Sequence, residues 1–427
     1  MKKFNLSLIS GVVVFSAALS GFTGAWADNL PRGNAKELGF DPDRLTRMDA
    51  TFEELIDKGM IPGAVIMVLR DGQIAHLSSL GKRTPDGEPM TEDSLFRIYS
   101  MTKPVTTVAA MMLVEEGKLA LNAPVSSYLP AFKDLTVATG EKDADGNAMT
   151  RAAKGTMTVL DLMRHTSGLT YGFFGVGPAR EAYNEAGVGS AENTALEQAN
   201  LIATLPLEHD PGTKWEYSRS TDVLGAVVEV VSGTNLEEFM KTRIFDPLGM
   251  VDTAFYVDVE SDFARIAEPF ADQANIGERP VFDPRVRKPN LSGGGGLMST
   301  AHDYAKFAQM MLNGGELNGT RLLSPKTVQL MTSNHMRNIE PGKYYLPGEG
   351  YGFGLGYAVR LENGNAPSFG TAGDYNWGGA AGTAYYTDPE ESLIALLMIQ
   401  SPANRSSLRL IFRNLVYPTI ADSKVEN

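Results

Sequence analysis

The apolar, β-branched runs of this 427-residue chain crowd toward its two ends, while helical periodicity fills the middle. Near the start, Leu45, Met48, Phe52 and Leu55 recur at helical spacing over 42–58, and Gly59 stops the run. Residues 64–69 then read as a strand, Arg70-Asp71-Gly72 as a turn, and 73–80 as the returning strand of a hairpin. Near the end, 351–359, 380–386 and 393–399 read as strands, and 406–417 as a closing helix. Between these ends the pattern predicts helices over 158–164, 221–231, 236–244 and 301–312, and a polar surface loop over 134–155. This is not the alternation that builds a parallel sheet. It predicts an α+β chain whose antiparallel sheet is completed by both ends. The expected partition is an α/β domain from 28–97 and 350–427, with a mainly helical domain, 98–349, inserted.

Within the middle, Tyr99-Ser100-Met101-Thr102-Lys103-Pro104 carries the most chemistry. Val105, Val108, Ala109 and Met112 follow at helical spacing and Gly117 closes the run. Pro104 fits only a first turn, so the helix must start close to Ser100. Three residues apart on a helix, Ser100 and Lys103 lie side by side at its positive end. A serine hydroxyl needs a base before it attacks, and a buried amine near positive potential can lose its proton near neutral pH. The Ser100 N–H, at the helix start, can help hold an oxyanion. The same spacing recurs at Ser79-Leu80-Gly81-Lys82, but Gly81 and the following Arg83-Thr84-Pro85 make that copy a strand end and turn.

Composition narrows the partners. A net charge of −13 argues against nucleic acid or an anionic membrane surface. No cysteine is present, which excludes disulfides, thiolate metal sites and a catalytic thiol. Met1-Lys2-Lys3, the mostly apolar stretch 6–22 and Ala25-Trp26-Ala27 read as a secretory signal peptide over 1–27. The expected mature protein is exported, periplasmic or secreted, without a stable membrane anchor.

No Gly-x-Ser-x-Gly occurs, so a nucleophile elbow is absent. None of His76, His165, His209, His302 and His335 forms His-Glu-x-x-His, and each is expected to be structural or superficial. Ser292 and the four glycines 293–296 are not a phosphate loop, because no Gly-Lys-Ser/Thr follows. Tyr217, in a loop after Asp210-Pro211-Gly212, is the most suggestive tyrosine, since ammonium groups nearby would favour its use as an acid or base.

Together these motifs resemble the serine β-lactamase and penicillin-binding-protein superfamily, and most closely the family VIII carboxylesterases. Ser100-Met101-Thr102-Lys103 matches the first motif, Tyr217-Ser218 the second and Trp377-Gly378-Gly379 the third. Phe96-Arg97-Ile98-Tyr99 and His165-Thr166-Ser167-Gly168-Leu169 are also familiar there. Two departures stand out: Arg219 replaces the Asn of Tyr-x-Asn, and Trp377-Gly378-Gly379 replaces Lys-Thr-Gly. The missing Asn would hold an amide carbonyl and the missing Lys a lactam carboxylate, so both point toward neutral esters.

The resemblance implies a β-lactamase/DD-peptidase-like fold and a carboxylesterase acting on short-acyl-chain esters. It implies Ser100 as nucleophile and Lys103 with Tyr217 as proton carriers. The N–H groups of Ser100 and Ala380 would form the oxyanion hole. Trp377, Gly378, Gly379 and Arg219 would contact substrate, and water would release the acyl group. No metal or cofactor is required. Shared acylation chemistry implies weak side activity on cephalosporins. The competing readings are a β-lactamase or D-alanyl-D-alanine peptidase, an acyltransferase, and a non-catalytic binding module on the same fold.

Overall fold

The computed structural model describes Met1, residues 30–85 and residues 87–425; the expected signal peptide, Met1 apart, lies outside the described residues. No helix among the described residues is long and apolar enough to cross a membrane.

Helix α1 (Pro42–Asp57) starts where the Asp41 side chain accepts the Asp43 and Arg44 amides, with Pro42 in the first turn. Its buried stripe is Leu45, Met48, Phe52 and Leu55, as the spacing requires. Strands β1 (Gly63–Arg70) and β2 (Gln73–Gly81) form the expected hairpin. Asp71 and Gly72 both hold positive φ, at 53° and 74°, the conformation a two-residue hairpin turn demands. Ser79 and Lys82 sit at the end of β2, not on a helix.

Helix α2 (Thr102–Glu115) is buried from Thr102 through Leu113, on every side, which places it in the core. The stretch 134–155 departs from the expected loop. It is a hairpin of β3 (Thr136–Lys142) and β4 (Ala148–Ala152), most of whose residues are half-buried or exposed. With few residues to hide on either face, it leaves no apolar alternation to read. Helix α3 (Val159–Met163) carries a full capping box between Thr158 and Asp161. Helix α4 (Ser220–Ser232) ends at left-handed Gly233. Helix α5 spans Ala301–Leu312.

The expected single strand over 351–359 is two, β5 (Tyr351–Phe353) and β6 (Ala358–Arg360), paired antiparallel. Gly356, at φ +88°, makes the reversal between them. Strand β7 (Tyr375–Gly378) includes Trp377, so the third motif ends one strand as well as preceding the expected next one, β8 (Gly382–Asp388); β9 (Leu393–Gln400) and α6 (Arg405–Val416) follow.

One seven-stranded sheet runs in the order β5-β6-β7-β8-β9-β1-β2, every pair antiparallel. Strands from opposite ends of the chain pair inside it as β9 and β1, from Ala64 opposite Ile399 to Arg70 opposite Leu393. Val65, Met67 and Leu69 share a core with Leu396, Met398 and buried residues of α2 and α4. Ala64, Ile66 and Val68 face the other way, with Leu397 and Ile399, onto α1 and α6. Both faces are covered, which is why β1 and β9 read as continuous apolar runs.

Candidate active site

Tyr99–Met101 makes a single 3₁₀ turn that runs straight into α2. Tyr99 holds φ +42°, a strained conformation for a bulky residue and one concentrated at functional sites. Ser100 therefore sits at the mouth of the helix, and Lys103 points from its first turn into the protein, 1% exposed.

Three oxygens surround the Lys103 amine: Ser100 Oγ at 3.2 Å, Tyr171 Oη at 3.2 Å and the Gly294 carbonyl at 2.6 Å. An ammonium has three donors, and all three are used. The sequence led us to expect positive surroundings that would neutralise this lysine. The structure shows the reverse. Burial disfavours its charge, but the Tyr171 and Tyr217 oxygens and the Asp222 carboxylate around it outweigh that and hold Lys103 above the ordinary lysine range. Tyr171 itself is pushed up to about 12, chiefly by burial, so its hydroxyl is neutral at physiological pH.

Tyr217 Oη lies 2.6 Å from Ser100 Oγ. Aromatic neighbours fix its ring. Trp215 stacks on it at 6.0 Å and 12°, Trp377 lies 5.5 Å away, and Lys103 Nζ sits 4.7 Å from its centroid. The His165 ring packs behind it at 4.9 Å, with Nδ1 3.3 Å from Ser218 Oγ. Burial first, then the Lys103 charge, hold that imidazole well below its usual range, so it is neutral.

The turn Gly379–Gly382 closes with a Gly382 N–H to Gly379 carbonyl bond of 3.0 Å, leaving Ala380 at its first corner. Neither the Ala380 nor the Ser100 amide finds an acceptor among the described residues, and both residues line one cavity. Glycine is required here. A Cβ on Gly379 would lie 2.3 Å from the Ile98 carbonyl oxygen, and one on Gly378 2.5 Å from Arg409 Cζ. Arg409 donates to the carbonyls of Gly379 and Thr383, clamping the turn from behind. Its own pKa falls to about 10, mainly through burial.

That cavity, about 1,310 Å³, is lined by Ser100, Tyr171, Tyr217, Arg219, Trp377, Gly378, Gly379 and Ala380. The structure thus brings every candidate singled out from the sequence to one place, Lys103 from just behind the wall. It adds four features that were not singled out. Tyr171 lies in none of the short motifs. Asp222 and the glycine-rich segment act together: Asp222 accepts the Ser292 hydroxyl and the Gly294 N–H, which aims the Gly294 carbonyl at Lys103. A Cβ on Gly294 would lie 2.7 Å from Asp222 Oδ2, the packing signal hidden in that run. Arg409 had no local signal, since its partners lie 26 and 30 residues away.

Comparison with known proteins identifies the family. A family model described as Beta-lactamase matches residues 48–415. The chain belongs to the β-lactamase family. It is a serine hydrolase of the wider β-lactamase and penicillin-binding-protein superfamily, with that group's α+β fold. Protein Rv1367c of Mycobacterium tuberculosis is 38% identical over 364 residues, covering 82% of this chain and 88% of that one. Esterase EstB of Burkholderia gladioli is 31% identical, covering 87% and 94%. The structure of EstCE1, a hydrolase with promiscuous acyltransferase activity, superposes with a TM-score of 0.73 over 90% of this chain and 99% of that one, at 26% identity.

Proposed function

We propose that this β-lactamase-family chain is a carboxylesterase for short-acyl-chain esters, acting through a Ser100 acyl-enzyme. The observation that carries the reading is the convergence of Tyr217 Oη, at 2.6 Å, and Lys103 Nζ, at 3.2 Å, on Ser100 Oγ. Likeness to EstB and EstCE1 supports an ester as the substrate.

In acylation Tyr217 acts as the phenolate: Ser100 Oγ attacks the ester carbonyl, its proton passes to the Tyr217 oxygen, and the negative charge moves from that oxygen to the carbonyl oxygen. The Lys103 ammonium, fixed by its acceptors, stabilises the phenolate before the proton is taken. The N–H groups of Ser100 and Ala380 receive the carbonyl oxyanion. Tyr217 then returns the proton to the departing alkoxide. Water repeats the sequence on the acyl-enzyme and restores Ser100. Lys103 thus serves as a fixed charge and not as the resting base. Trp377 forms the wall against which the acyl or alcohol part packs.

Weak cephalosporin hydrolysis belongs to the same reading, since a β-lactam carbonyl would use the same atoms. Transfer to an alcohol in place of water is the second reading, favoured by the likeness to EstCE1 and by a cavity with room for an acceptor. Brief exposure to p-nitrophenyl butyrate followed by acid quench and peptide mass analysis tests the proposal. A butyryl adduct on the peptide containing Ser100 is expected; an adduct elsewhere would refute the assignment.

A further inference from the structure

The chain as a whole is acidic, at −13, yet the cavity that opens onto Ser100 is basic. Its charged lining is Arg219, Arg279, Lys288, Arg405, Arg409 and Arg413 against Asp283 and Glu349. Four of the six are already engaged. Arg413 pairs with Asp374, Lys288 with Glu192 at 3.1 Å, and Arg405 and Arg409 donate to backbone carbonyls. The guanidiniums of Arg219 and Arg279 have the longest polar contacts of the six, 3.5 Å each.

The nearest carboxylate to Arg219 is Asp222 at 3.5 Å, and that group already accepts Ser292 and Gly294. Arg279 pairs with no carboxylate among the described residues; its hydrogen bond goes to the Val188 carbonyl at 3.5 Å. The two guanidiniums meet over one glycine. A Cβ on Gly189 would lie 2.1 Å from Arg219 Nη2 and 3.2 Å from Arg279 Nη1. Partial burial and then the Arg219 charge both disfavour the charge on Arg279. Each guanidinium lies over an aromatic ring, Arg219 over Tyr171 at 4.9 Å and Arg279 over Phe173 at 5.6 Å. Stacking holds the planar face and leaves N–H edges free for a bidentate acceptor. The two adjacent like charges have one carboxylate between them, Asp222, which is itself committed to Ser292 and Gly294, so the pair is short of negative charge and a bound anion supplies it. The pair is also close to the chemistry. Tyr171, under Arg219, holds Lys103, which holds Ser100.

We propose that Arg219 and Arg279 form an anion subsite, and that the natural substrate is an ester carrying a carboxylate on the part that lies against Tyr171 and Phe173. The inference rests on the carboxylesterase reading for the bond that is cleaved, and it revises the neutral substrate that the missing Lys-Thr-Gly suggested.

The test compares two acids with their methyl esters: mono(4-nitrophenyl) glutarate, with its carboxylate on the acyl side, and 4-butyryloxybenzoate, with it on the alcohol side. For one of them, kcat/KM should exceed that of its methyl ester by about tenfold, the value of a charge-assisted hydrogen bond. Salt at about 0.5 M should shrink that ratio. Arg279→Gln should lower it by about tenfold, and Arg279→Lys should keep only part of it, because an ammonium lacks the bidentate fork. Acids that are poorer than both methyl esters, or a ratio unmoved by Arg219→Gln and Arg279→Gln, would overturn the subsite. Should the wild type cleave none of the four, calorimetric titration of Ser100→Ala with both acids decides separately. Binding that Arg279→Gln weakens keeps the subsite while the esterase reading falls; binding indifferent to Arg279, or none, removes the subsite.

Discussion

Lys103 Nζ donates to the Gly294 carbonyl at 2.6 Å, a bond that ties the first turn of the buried helix α2 to the glycine-rich segment on the other side of the site. The carbonyl points there because Asp222 receives the N–H of the same residue at 3.2 Å. A carboxylate outside the reacting atoms therefore helps position the lysine and, with Tyr171 and Tyr217, helps hold its charge. Asp222→Asn should lower kcat by about 10²-fold with a smaller change in KM. It should also cost about 1–3 kcal/mol of stability by weakening bonds inside the core. Steady-state kinetics and a thermal melt check both; unchanged kcat would separate Asp222 from Lys103.

Lys103 and Tyr217 have different jobs in this scheme, and their variants should differ. Tyr217→Phe keeps the stack on Trp215 but removes the oxygen 2.6 Å from Ser100, so kcat should fall about 10²–10⁴-fold while Tm barely moves. Lys103 is held above the ordinary lysine range, so it stays charged throughout the working pH span. The pH profile of wild-type kcat/KM should show no limb belonging to Lys103 from about pH 6 to about pH 10. A lysine limb near neutrality would make Lys103 the resting base after all.

His165 bears on stability rather than turnover. Burial and the Lys103 charge hold its folded-state pKa well below the usual 6.5. The unfolded chain therefore takes up a proton that the folded chain refuses as pH drops through about 6.5. Stability is full above that value and is lost below it. Half-buried His302 and His335 are depressed in the same direction. His165→Asn, which tolerates the residue's φ of +58°, should flatten the fall in Tm between about pH 7.5 and about pH 5.5. An equally steep fall in the variant would remove His165 as the cause.

Arg409 positions the turn that presents the Ala380 amide without touching substrate chemistry. Arg409→Met should lower kcat by about tenfold, less than the 10²–10³ expected for losing an oxyanion donor outright, and leave KM nearly unchanged. Arg409→Lys should restore part of the loss by donating to the same carbonyls. A variant that changes KM alone would assign Arg409 to substrate binding instead.

The sequence was most legible where one local rule governs a segment. The stripe of α1, the Asp71-Gly72 turn, the Thr158 cap and the Gly233 stop follow from spacing and turn chemistry alone. Ser100, Lys103 and Tyr217 were found because each lies in a short motif. Pairing of distant segments was harder to read. The 136–152 hairpin hides because most of it stays in contact with solvent, and the break between β5 and β6 depends on Gly356 packing against Thr107. The charge state of Lys103 depends on Asp222, 119 residues away in sequence and joined only through the glycine segment; no local pattern carries that link.

The most direct test of the account is a side-by-side assay of p-nitrophenyl butyrate and a chromogenic cephalosporin with wild type and Ser100→Ala. We expect the butyrate ester to be cleaved much faster than the cephalosporin, and Ser100→Ala to abolish both activities while keeping the wild-type melting temperature. Preference for the cephalosporin would contradict the esterase assignment, and a Ser100→Ala protein with full activity would contradict the nucleophile on which the mechanism is built.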